Sequence, residues 1–277
     1  MEPLHSARDL VTLEFRCLGL FAFHGSCRWR AAPARARGGE FLAYLASHSR
    51  SPILRTTLAE ALWPHLNPEQ SAHRLHLAVS GARAALRVEL PEINPIVFVE
   101  DSYGWHSSVQ ITSDARRLEQ CFNDGSPAAF SEGISVYAGQ FLPAEQADWV
   151  TPMRVRYEHM YVTMLETLAS AALEAGDYAR ATNFGLELIE VDGANERATQ
   201  LVMVSSAKAG RRGFALATFA KLERYLRKWL GVEPMSETSR LRVQILQDEI
   251  GSTAVYCKAP DRGRLVTPGA ESQRVGY

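Results

Sequence analysis

From Leu13 to Arg30 the chain reads LEFRCLGLFAFHGSCRWR, dense in aromatic and β-favouring residues, with a turn at His24-Gly25-Ser26. Two short strands are predicted on either side of that turn. The period then changes. Pro33 is expected to open a helix whose apolar face is Phe41, Leu42, Leu45 and Ala46, and Ser51-Pro52 breaks it. A second helix carries Leu58, Leu62 and Trp63, with Thr56 or Thr57 as its cap and Pro64 as its stop. A third begins at Asn67, a good N-cap followed by Pro68 in the first helical position and by Glu69. On that helix Leu75, Ala78, Val79, Ala82 and Leu86 fall on one face and should pack inward, while His73, Arg74, His76, Ser80 and Arg83 share the other side. Two strands follow, IVFVE (96–100) and YGWHSSVQI (103–111), with Asp101-Ser102 between them.

Strands, three helices and a closing hairpin make a winged helix-turn-helix, expected over residues 10–111. From Asp148 to about Glu249 the chain reads as nearly continuous helix, and it repeats. LEAGDYARA and SAKAGRRGFA place Ala175-Gly176 and Ala181 against Ala209-Gly210 and Ala215, each 34 residues on. That is the tetratricopeptide period, in which a glycine ends one helix and a small alanine lets the next pack across it. Phe184, Leu188, Phe219 and Leu222 read as core. The fold class is therefore mainly α with a small β component: an N-terminal winged helix-turn-helix, an all-α tetratricopeptide-like domain over 112–250, and a polar tail over 251–277 expected to be disordered.

Composition sharpens this. The chain has 277 residues, 46% of them hydrophobic, enough for about two domains. No apolar run is long enough for a membrane span, and no signal peptide is read at the N-terminus, so a cytoplasmic location is expected. Cys17, Cys27, Cys121 and Cys257 are scattered and read as reduced thiols, a Cys17–Cys27 disulfide being the alternative. The net charge of −1 conceals an asymmetry: residues 28–87 hold nine arginines against three glutamates, and residues 88–277 hold 19 basic against 25 acidic residues. A basic segment on a near-neutral chain is the footprint of a nucleic-acid module, or else a solvated face.

These pieces together resemble the SARP/AfsR-type transcriptional activators, which join a winged helix-turn-helix to a bacterial transcriptional activator domain (BTAD). The resemblance covers roughly residues 13–250. It is carried by FLAYLASH (41–48), LAEALWP (58–64), LHLAVSGARAAL (75–86), YAGQFLPAEQADW (137–149), LEAGDYARA (173–181) and the run ending Leu230-Gly231-Val232-Glu233-Pro234. It implies a sequence-specific activator that binds double-stranded promoter DNA and helps recruit RNA polymerase; separately, a homodimer is one expected route to tighter DNA binding, and no cofactor is expected. The chain departs from the family pattern at Gly81, where arginine is common, and at an acidic wing tip, Glu100 and Asp101.

The DNA-contacting candidates are Arg74, His76, Ser80 and Arg83 on the third helix, with His73 beside them and Tyr103 on the wing. His106 is the wing's other candidate. An arginine can read a guanine edge or grip a phosphate, and Ser80 and His76 can hydrogen-bond either. Asp148 and Trp149 are expected to cap a helix and fill the domain junction. His73 and His76 lack the further ligands that a metal site needs. No nucleophile motif surrounds Ser80 and no phosphate-cradling GxxxxGK[ST] occurs, so no enzyme is expected. The alternative is an interaction protein whose helical repeats hold a partner or a small-molecule effector, beside a weak or degenerate DNA-binding domain.

Overall fold

A computed structural model describes residues 10–25, 28–33, 38–48 and 51–250 of the chain. It divides into two compact units, at Leu168/Ala169.

The first unit opens with strand β1 (Val11–Arg16), in which Leu13 and Phe15 are buried and Glu14 and Arg16 are not. It pairs antiparallel with β2 (Ala22–His24), and β2 with β3 (Arg30–Ala31). The segment therefore holds three strands, not two. Ahead of Pro33 the Ala32 amide still donates to the Phe21 carbonyl at 3.1 Å, which prolongs the strand ladder, and the start of the helix expected from Pro33 falls on residues 34–37, outside the described residues. Helix α1 (Gly39–Ser47) starts behind Gly38, whose φ of 89° suits glycine.

Helix α2 (Arg55–Leu62) follows the two-residue strand β4 (Ile53–Leu54). Neither Thr56 nor Thr57 caps it: Leu54 is the N-cap and offers no side-chain bond. The Arg55 amide donates instead to the Asp101 carbonyl at 3.0 Å. Helix α3 (Pro68–Leu86) is built as its sequence signals, with Asn67 accepting the Gln70 amide at 2.9 Å.

Strands β5 (Ile96–Val99) and β6 (Ser102–Trp105) form the wing, pairing Val99 with Ser102. The turn is Glu100-Asp101 rather than Asp101-Ser102; both residues have positive φ, 47° and 61°, as a two-residue hairpin of matching twist requires. The stretch 103–111 is not one strand. It breaks after Trp105, and β7 (Val109–Ser113) crosses to lie parallel to β1, from Val11↔Val109 to Phe15↔Ser113. One sheet thus runs β3-β2-β1-β7 and the wing sheet runs β4-β6-β5. Phe15, Phe41, Leu42, Leu45, Leu58, Leu62, Trp63 and Leu86 fill the core.

Helices α4 (Asp114–Asp124) and α5 (Pro127–Val136) are capped by the Ser113 and Ser126 hydroxyls. The Asp114 carboxylate also accepts the amides of Cys17 at 2.7 Å and Leu18 at 3.0 Å, tying α4 to the end of β1. Burial outweighs those bonds and pushes its pKa up to about 6. Helix α6 (Val150–Glu174) begins beside Trp149, whose ring meets Tyr44 edge-on at 4.9 Å and lies 5.8 Å from His48. Asp148 accepts the Thr151 amide through its backbone carbonyl.

The second unit holds the end of α6 and then α7 (Tyr178–Val191), α8 (Glu196–Lys208), α9 (Arg212–Trp229) and α10 (Ser236–Leu246). The 34-residue repeat is structural: Gly176 and Gly210 both sit at positive φ, 77° and 75°, and Ala181 and Ala215 are both fully buried. Leu188, Phe219 and Leu222 are core, whereas Phe184 is only half-buried at its margin, with the Arg180 guanidinium 5.6 Å from its ring centre.

Cys17 and Cys121 are buried free thiols; Cys27, Cys257 and the tail 251–277 lie outside the described residues. Among the described residues no helix is long and apolar enough to cross a membrane.

Candidate nucleic-acid interface

Helix α3 buries Ser71, Leu75, Ala78, Val79, Ala82 and Leu86 against α1 and α2. With 3.6 residues per turn, the line opposite that stripe passes through His73, Leu77, Ser80 and Ala84, spaced four, three and four apart. All four are exposed, and His76 and Arg87 are exposed beside them.

Arg74 and Arg83 stand on the flanks of this face, and each also engages the protein. Arg74 has Nη2 3.4 Å from the Glu40 carboxylate and its guanidinium 5.2 Å from the Trp63 ring centre. Glu40 is buried and accepts the Trp63 indole N–H at 2.8 Å. The Arg74 side chain is still 44% exposed, so one edge faces water. Arg83 is half-buried and donates from Nε and Nη2 to the Ile96 carbonyl at 3.2 and 2.9 Å.

On the wing, Tyr103 packs edge-on against Phe41, with ring centres 5.7 Å apart, and against its cross-strand partner Phe98 at 4.7 Å. His106 accepts the Ser108 amide through Nδ1 at 3.1 Å. The acidic tip is partly neutralised, because Asp101 pairs with Arg55 at 2.8 Å. Arg55 and Leu77 escaped the sequence reading. The place of Arg55 depends on the fold of the wing onto α2, which no local pattern encodes, whereas the helical period does set Leu77 on the outer face.

Among the described residues no group of three or more histidines, cysteines or carboxylates is placed to hold a metal.

Residues 110–246 match the family model of the bacterial transcriptional activator domain. The chain is similar to the Regulatory protein AfsR of Streptomyces griseus, 30% identical over 114 residues, which are 41% of this chain and 12% of that protein. It is also similar to the Regulatory protein AfsR of Streptomyces coelicolor, 25% identical over 240 residues, 78% of this chain and 24% of that protein. The matches thus span a quarter or less of these relatives. Its fold is like that of Mycobacterium tuberculosis EmbR, solved in complex with a low affinity phosphopeptide. The TM-score is 0.63 at 18% identity, over 85% of this chain and 65% of that one. Residues 110–246 thus match a BTAD, and the chain as a whole resembles the SARP/AfsR-type bacterial transcriptional regulators, the Streptomyces coelicolor match being long enough to reach both the winged helix-turn-helix and the BTAD.

Proposed function

We propose that the chain is a sequence-specific activator that binds promoter DNA through α3 and helps recruit RNA polymerase in the cytoplasm. The observation that carries this reading is the exposed outer face of α3, bordered by Arg74 and buttressed by the wing. A helix presented in this way fits the major groove, with the β5–β6 hairpin beside the backbone. His73, His76 and Ser80 offer hydrogen bonds, and Arg74 and Arg87 offer charge to phosphates. The domain boundary near residue 112 and a homodimer on repeated half-sites belong to the same proposal.

Fluorescence anisotropy tests it, comparing duplex from upstream of the coding sequence with scrambled duplex over a range of salt. Tighter binding to one upstream fragment, weakening as salt rises, supports the reading. Equal binding to both refutes sequence recognition.

A second reading is an interaction protein whose helical repeats hold a protein or small-molecule partner. It is favoured by the internal bonds of Arg74 and Arg83 and by exposed Trp229 at the end of α9 with Leu230, Val232 and Met235 after it. A stoichiometric partner of the purified chain, without promoter preference, would select it.

A further inference from the structure

Leu77 stands at the centre of the outer face of α3 and is 56% exposed. A lone exposed leucine is ordinary on a protein surface. This one is flanked along the helix by His73 and Ser80, one turn either way, with Ala84 two turns on, on the side furthest from the core. Arg74 and Arg83 stand on the flanks of this face, where Glu40, Trp63 and the Ile96 carbonyl engage them. What α3 offers at its crest is therefore a branched apolar side chain between His73 and Ser80, with a small alanine further along.

We infer that Leu77 is a specificity-determining residue that packs against the 5-methyl group of a thymine in the major groove. This rests on the proposal that α3 enters DNA. The matching follows from what each base shows there. Guanine presents acceptors, cytosine a donor, and adenine one of each; only thymine adds a methyl group. Leucine cannot replace the water that a polar base edge would lose against it, so such a base is disfavoured. A methyl group has no such loss and gains apolar burial. Ala84 is small enough to leave the neighbouring base edge room.

The test uses the full chain and upstream duplex, with each thymine replaced in turn by deoxyuridine, which lacks only the methyl group. Wild type and Leu77→Ala are compared by anisotropy. Circular dichroism melting checks that Leu77→Ala is folded, as an exposed helical alanine should be. At one position, uracil is expected to weaken wild-type binding about fourfold, the worth of one buried carbon. Leu77→Ala should bind the thymine duplex weaker by a similar factor and lose nothing further with uracil. The inference is overturned if the upstream duplex is preferred but no uracil weakens binding, or if Leu77→Ala keeps the full uracil effect; the DNA-binding reading then stands. No preference for upstream duplex at all overturns both.

Discussion

The guanidinium of Arg83 donates twice to the carbonyl oxygen of Ile96, tying the last third of α3 to the first residue of the wing. A single backbone oxygen thus links the two parts of the molecule that would meet DNA together.

That bond gives the first prediction. Arg83→Met keeps most of the apolar stem and removes the donors. It should destabilise the protein by about 1–3 kcal/mol in denaturant unfolding, the worth of a charged hydrogen bond. A variant of unchanged stability that loses DNA affinity would instead assign Arg83 to the DNA.

A second concerns the start of α1. Gly38 has φ 89°, and an added Cβ would lie 2.2 Å from the Ala78 carbonyl oxygen and 2.8 Å from the Ala82 amide. Gly38→Ala combines left-handed strain with a backbone collision between α1 and α3, so about 3 kcal/mol or more should be lost. Gly176→Ala has similar strain, φ 77°, but nothing within 4 Å, and should cost only about 1 kcal/mol. Equal losses in thermal unfolding would show that the collision relaxes away.

The third is a pH effect. The folded pKa of Asp114 is raised to about 6 from an ordinary 3.8, so between these values the folded state binds more proton than the unfolded one. Its contribution is therefore most favourable below about pH 4 and is lost as pH rises through 6. Wild type minus Asp114→Asn stability should fall across that window and be level above pH 7. A difference that rises with pH would mean that the amides of Cys17 and Leu18 outweigh burial.

Much of the fold was legible because its signals are local. Asn67-Pro68 fixed the start of α3, the apolar period fixed its buried face, and a glycine recurring 34 residues on marked the helical hairpins. What was illegible depends on distant partners. The parallel pairing of β1 with β7 joins Val11 to Val109, and nothing near either residue announces it. The start of α2 looked like a threonine cap because its real support, the Asp101 carbonyl, lies in the wing. At the candidate site, sequence named the outward residues of α3 but not their engagements. Helical spacing put Arg74 and Arg83 outside, while long side chains reach back to Glu40 and Ile96.

If the outer face of α3 is the DNA interface, one substitution there abolishes tight binding without disturbing the core. Ser80 is exposed at the crest of the helix and has no part in its packing. The measurement is the affinity of wild type and Ser80→Asp for the upstream duplex at one moderate salt concentration, with thermal unfolding of each. Equal melting temperatures and a loss of affinity of about tenfold or more are expected, because a carboxylate would be pressed against phosphates and base edges. Undiminished binding by a normally folded Ser80→Asp protein would contradict the assignment of that face to DNA.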